Sequence, residues 1–328
     1  MGPWGELYAS RIYPTLSAAL SWLASPLPFS LTELVALIFL GTALLRLWQL
    51  LFRPGRGKTV LRLAGLLLSA VVWFYAGWGL NYFRDSIYTR SGTTAMPFEE
   101  AEFREFLTLF TEELNESRCV AEAVDPARFE QETKDWYTAV PAEFGLCRPR
   151  SWQHPKRLLL NRLYSAVGVL GFLGPAFDEM QLNRELTPLE YPFVFAHEYA
   201  HVLGVSSEAE ANFWAFERCR ASDDPTVHYS AWFMLLNYTA ANIRSLLGEE
   251  AYEAWLDDLP PEVFDDLDAS QAHWRALRWT WLADLQHKFY DFFLRSNQIP
   301  EGTKNYGQVL RLVFTFSDFH GHSHGEEG

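Results

Sequence analysis

TPLEYPFVFAHEYAHVLGVSSEAEANFWAFER, residues 187–218, is the stretch from which the rest of the chain is read. At its centre stands His197-Glu198-Tyr199-Ala200-His201, an HExxH pattern. A four-residue spacing on a helix puts both imidazoles on one face, where they can offer neutral nitrogens to a single Zn²⁺. Glu198 lies beside them, placed to take a proton from a metal-bound water and make the attacking hydroxide. The flanks predict such a helix. Thr187-Pro188-Leu189-Glu190 has the form of a capping box with Pro at the first helical position, although Pro192 removes a backbone donor and can delay the regular helix. Tyr191, Phe193, Val194, Phe195 and Val202 make the helix apolar and buried, and Gly204 supplies the turn after it through a positive φ.

A catalytic zinc site takes three protein ligands and leaves the fourth position open. Glu208 and Glu210 are the candidates for the third. Ser207-Glu208-Ala209-Glu210 looks like a second capping box, which gives Glu210 a structural task and leaves Glu208 as the expected ligand, with Glu210 the alternate. Asn212 shares a helix face with Glu208 at i, i+4 and can orient a ligand by hydrogen bonding. His228, Tyr229 and Tyr238 are candidate donors to a tetrahedral oxyanion, and nothing in the spacing chooses among them.

The remainder has a strong apolar bias. Of 328 residues, 49% are hydrophobic, and the formal net charge of −14 argues against nucleic acid as a partner. There is no Gly-rich phosphate loop, dinucleotide fingerprint or CxxC pair. One apolar segment runs from Leu27 to Trp48, with Glu33 and Arg46 near its ends, and another from Leu63 to Phe83 carries no charge. Each is long enough to cross a bilayer as a helix. Trp73, Tyr75, Trp78 and Tyr82 are expected to form an interfacial aromatic belt. Between the runs stand Arg46, Arg53, Arg56, Lys58 and Arg62, which place that loop in the cytoplasm by the positive-inside rule and everything after Arg84 outside. The expected organisation is therefore an interfacial segment (1–26), two membrane helices with a basic loop (27–84), an exoplasmic domain (85–319) and a flexible His-rich tail (320–328).

Within the outer domain, 97–132 has helical spacing of Phe103, Phe106, Leu107 and Phe110 among solvated acids. Cys119 and Cys147 are candidates for a disulfide outside the cell, with Cys219 left over. Residues 176–183 alternate apolar and polar, as a half-exposed strand does, and its free edge can pair with an extended peptide. A long aromatic helix is expected from His273 to Phe293, and a short one from Asn305 to Phe316.

The chain resembles the DUF3810 family of bacterial membrane proteins. The resemblance rests on Trp78-Gly-Leu-Asn-Tyr-Phe-Arg84, residues 175–183, HEYAH, Glu208-Ala-Glu-Ala-Asn-Phe213, Tyr290-Asp-Phe-Phe-Leu and Asn305-Tyr-Gly-Gln-Val. It implies the bacterial cytoplasmic membrane as location. Its zinc signature is similar to that of gluzincin metallopeptidases, whose third ligand is a Glu followed at the fourth position by Asp or Asn, as Glu208 and Asn212 are here. The interval from His201 to Glu208 is short for a gluzincin and closer to the metzincin HExxHxxGxxH, with Ser207 where that pattern has its third His. The expected fold is mainly α (α+β), a transmembrane helix pair followed by a zincin-like, mostly helical domain with a small sheet. The expected function is a membrane-anchored zinc metallopeptidase acting on a peptide or protein substrate. The alternative is a noncatalytic zinc-stabilised membrane protein with a structural or sensing role.

Overall fold

The computed structural model describes residues 3–96, 99–281, 288 and 306–317. A short helix α1 (Pro3–Leu7), one π-helical turn (Tyr8–Ile12) and α2 (Tyr13–Ala24) open the chain. This segment packs on the rest of the protein through one side. Tyr13 is fully buried, and its hydroxyl hydrogen-bonds Asp178 and the Val202 carbonyl. Trp4, Ile12, Trp22 and Leu23 face outward.

The two apolar runs form a helical hairpin, α3 (Leu31–Phe52) and α4 (Arg56–Gly77), both long and apolar enough to cross a membrane. Ser30 starts α3 by accepting from the Glu33 amide, and Gly55 makes the turn at φ +92°. The apolar stretch of α3 is 0% buried and that of α4 6%, so neither is a core helix. The second helix begins before the apolar run Leu63–Phe83 and ends before it does. It stops at Gly77, and a 3₁₀ turn (Gly79–Phe83) carries Trp78 and Tyr82 into the protein rather than into an aromatic belt.

Helices α5 (Ile87–Ser91), α6 (Glu100–Ser117) and α7 (Pro126–Ala139) lead to a small sheet made of β1 (Lys156–Arg157), β2 (Gly171–Gly174) and β3 (Glu179–Leu182), with α8 (Asn161–Val167) between β1 and β2. The order is β1-β3-β2, parallel for β1–β3 and antiparallel for β2–β3. Two expectations about this sheet are corrected. The alternating strand β3 is central and buried at every position, and the free edge belongs to β2. The polar positions of β3 face protein, not solvent. The Glu179 carboxylate accepts from the Leu31 and Thr32 amides at 3.1 and 2.8 Å, and Gln181 donates to the Ser30 hydroxyl. Glu33 returns the contact by accepting from the Leu159 and Leu160 amides. Two buried carboxylates thus pin the start of α3 to the sheet.

Beyond the sheet come α9 (Glu190–Val202), α10 (Glu208–Arg220), α11 (Pro225–Leu246), α12 (Glu249–Asp257), α13 (Pro261–Leu277) and α14 (Tyr306–Phe316). Helix α10 packs between α9 and α11, with α14 against it, and Phe103, Phe106 and Phe110 of α6 close the core. The Cys119–Cys147 disulfide is not formed; all three cysteines are free. Cys119 lies by Thr226 at the start of α11, whereas Cys147 is tied through its amide to Leu203 after α9. The expected His273–Phe293 helix coincides with α13 only as far as Leu277, most of its remainder lies outside the described residues, and the tail 320–328 lies wholly outside them.

Candidate metal centre and its cleft

Local sequence sets each donor in place. Leu189 precedes α9, and the Glu190 carboxylate accepts from the Thr187 amide, half of the expected box; the Thr187 hydroxyl does not complete it. Phe193, Val194, Phe195 and Val202 are buried and fix the helix in the core. Gly204 then turns the chain at φ +91°. That turn brings the Val205 carbonyl back to His201 Nδ1 at 2.7 Å. Ser207 caps α10 by accepting from the Glu210 amide, which makes Glu208 its first helical residue.

His197 Nε2 and His201 Nε2 lie 3.1 Å apart, and Glu208 Oε2 is 3.3 Å from the first and 3.7 Å from the second. His201 Nδ1 donates to the Val205 carbonyl, and His197 Nδ1 donates to Asn212 Oδ1 at 2.8 Å. Both rings therefore carry their protons on Nδ1 and turn lone pairs inward. Two lone pairs and a carboxylate facing one another at these distances require positive charge between them, as a cation or as protons. Donors bound tetrahedrally at about 2.0–2.1 Å stand roughly 3.3–3.4 Å apart, the range these three distances straddle. The residues fit a metal ion. With protons alone, burial lowers the His201 pKa but Glu208 more than reverses this and raises it to about 9. Burial likewise pushes Glu208 up, and the two imidazoles outweigh it and hold the carboxyl well below its ordinary range.

Glu198 lies beside this triangle, 5% exposed, and burial raises its pKa despite the two imidazoles. Its Oε2 is buried without a hydrogen-bond partner. The strand β2 presses on it: a Cβ on Gly171 would stand 2.7 Å from Glu198 Cγ and 2.9 Å from Oε1, so any side chain here forces Glu198 to shift. His197, Glu198, His201, Glu208 and Asn212 all open into a cleft of about 730 Å³ with Tyr238 on its wall.

Of the candidate oxyanion donors, only Tyr238 reaches the cleft, where its hydroxyl accepts from Asn212 Nδ2 at 2.9 Å. His228 is turned to the Arg220 carbonyl and Trp232, and Tyr229 donates to Asp266, so neither lines the cleft. Glu210 also faces elsewhere, ion-paired with buried Arg90 and accepting from Trp214 Nε1. Sequence reasoning missed Trp78, whose indole donates to the His201 carbonyl at 3.3 Å, and Gly171. The Gly-punctuated run before β3 was the available signal for the latter.

Fold and site together define a mostly helical protein with an apolar helical hairpin and a His–His–Glu cluster able to hold a metal. The chain belongs to the DUF3810 family, described as proteins of unknown function, whose model matches residues 8–314. No curated protein and no solved structure matches it.

Proposed function

We propose that the protein is a membrane-anchored zinc metallopeptidase. The observation that supports this most is the buried, unpartnered Oε2 of Glu198 beside three convergent metal donors and an open cleft. A purely structural metal site has no use for an unsatisfied carboxylate oxygen, which costs about 1–3 kcal/mol to keep buried.

His197, His201 and Glu208 would hold Zn²⁺, and Asn212 and Val205 fix the two rings through their Nδ1 protons. Bound there, the ion would acidify water and polarise a carbonyl. Glu198 accepts the proton as water adds to the peptide carbonyl carbon, and its raised pKa suits it to hold that proton. When the C–N bond breaks, Glu198 passes the proton to the leaving nitrogen. Tyr238, held by Asn212 on the cleft wall, can donate its hydroxyl proton to the developing oxyanion. Among the described residues β2 is paired only on its β3 side, so its other edge can align an extended peptide along the cleft. The α3–α4 hairpin spans the cytoplasmic membrane twice, with the basic turn around Arg53 inside and the cleft outside.

The test compares zinc content and turnover of a mixed peptide pool. Wild type should hold one zinc and cleave; His197→Ala should lose both, and Glu198→Gln should keep zinc and lose cleavage. Zinc lost equally in Glu198→Gln would place Glu198 among the ligands and refute the mechanism. Zinc bound without any cleavage by wild type would favour a structural or sensing site.

A further inference from the structure

We infer that the substrate is a peptide tethered in the bilayer, cut within a few residues of its membrane-embedded segment. This rests on the peptidase and membrane-span readings above, and it follows from where β2 begins and ends. At one end Gly171 lies against Glu198. At the other, a Cβ on Gly174 would stand 2.6 Å from Thr32 Oγ1, in the first turn of α3. The next two residues touch α4: a Cβ on Gly77 would meet the Pro175 carbonyl oxygen at 2.8 Å, and Trp73 Nε1 donates to the Ala176 carbonyl at 3.1 Å. Three steps of extended chain at about 3.3 Å each separate Gly171 from Gly174, so roughly 10 Å separates the general base from the start of α3, and the contacts with α4 come one and two residues later.

That separation is fixed. Glu179 on β3 holds the Leu31 and Thr32 amides, and Glu33 on α3 holds the Leu159 and Leu160 amides just after β1, so hydrogen bonds run in both directions between the start of α3 and the sheet region. The cleft itself is continuous with α4. Phe74 of that helix and Trp78 just after it form part of the wall, together with Leu170, Phe172 and Phe193. Part of the wall that a bound peptide meets is thus supplied by the last turn of a helix long and apolar enough to cross a membrane. A peptide leaving the bilayer beside α4 and pairing with the open edge of β2 reaches Glu198 after about three extended residues. The arrangement works as a ruler set by the membrane surface.

The experiment uses the zinc-loaded full chain in phospholipid vesicles. Peptides carry one mixed-sequence segment of roughly 20 residues, joined to an apolar transmembrane anchor either directly or through spacers of increasing length. The same segment without anchor is the control, and products are mapped by mass spectrometry. Cuts should cluster about three to six residues from the anchor and stay at that distance as the spacer shifts the sequence, at rates on the order of 10²-fold above the untethered segment through raised effective concentration. Cuts that follow the peptide sequence rather than the anchor, or equal rates with and without it, would overturn the inference and leave the peptidase reading standing. No cleavage of any peptide by zinc-loaded protein would overturn the peptidase reading, and this inference with it.

Discussion

Glu208 and Glu210 sit two residues apart, and replacing each by Ala should break different properties of the protein. Glu210 is ion-paired with Arg90, with side chains only 6% and 4% exposed, and it also accepts from Trp214. Removing one member of a buried pair costs about 3–5 kcal/mol, because the other charge is left without compensation. Arg90 keeps two acceptors, the Phe144 carbonyl at 2.9 Å and the Asp85 carbonyl at 2.7 Å, which favours the low end. The neighbouring Arg84 guanidinium, close enough to feel both Arg90 and Glu210, works the other way. Glu210→Ala should thus cost about 3 kcal/mol, more than the ~1 kcal/mol of a lost helix cap, and lower the melting temperature of the metal-free protein by roughly 5 °C. Its zinc affinity should be nearly unchanged. Glu208→Ala removes a side chain that is one-third exposed and faces His197 and His201. Above about pH 9, where His201 is neutral with or without it, metal-free stability should change by less than about 1 kcal/mol, whereas near neutral pH the protonated His201 loses its support. Its zinc affinity should fall by more than the ~10–100-fold of a group one bond further out. Thermal unfolding of metal-free protein and zinc titration against a competing chelator read the two properties separately. A Glu210→Ala protein that melts normally and holds no zinc would refute the assignment of both glutamates.

Gly171→Ala should leave zinc content intact and lower turnover on the order of 10²-fold, since the new methyl displaces Glu198; zinc titration with kinetics on the peptide pool checks it. Asp178, buried with Tyr13 and Ser17 as hydrogen-bond donors, is pushed up to about 6 chiefly by burial. A carboxyl whose pKa is higher folded than unfolded favours folding when protonated, so stability should decline as pH rises from about 4 to 6, by roughly 3 kcal/mol. Asp178→Asn should flatten that slope in denaturant titrations at several pH values, and an unchanged slope would show that another group carries it. Thiol counting on unreduced, denatured protein should give three free cysteines; one thiol would mean that Cys119 and Cys147 are joined.

How far the sequence could be read depended on whether a signal was local. The HExxH spacing, the Gly204 turn and the Ser207 cap are set by residues within one or two helical turns, and the structure has all three. The strand β3 misled because period-two alternation records polarity, not solvent. Glu179 and Gln181 are polar in order to bind Ser30, Leu31 and Thr32, about 150 residues earlier in the chain. Trp78 and Tyr82 misled for a related reason. They look like a membrane-interface belt in sequence, and the break after Gly77 that folds them into the cleft depends on contacts with the Pro175 turn. His228, Tyr229 and Tyr238 lie on one helix, and only its packing against α10 decides that Tyr238 reaches Asn212.

The short interval between His201 and Glu208 has a geometric cause in this packing. Helices α9 and α10 are joined by five residues, Leu203 to Ser207, and each of the last four has a task that a longer loop would divide. Gly204 reverses the chain, Val205 returns its carbonyl to His201, Ser206 donates to the Asn81 carbonyl, and Ser207 caps α10. Because the cap falls at Ser207, Glu208 stands at the first helical position, where the helix dipole favours a carboxylate and the side chain can fold back over the end of α9. One turn further along, Asn212 reaches His197. Asn212 meets His197 at Nδ1, whereas Glu208 faces both Nε2 atoms, so the tight turn is what sets the early glutamate on the donor side of the rings. Lengthening the turn by a single Gly after Val205 should therefore weaken zinc binding more than Asn212→Ala does, since it moves a donor rather than its support.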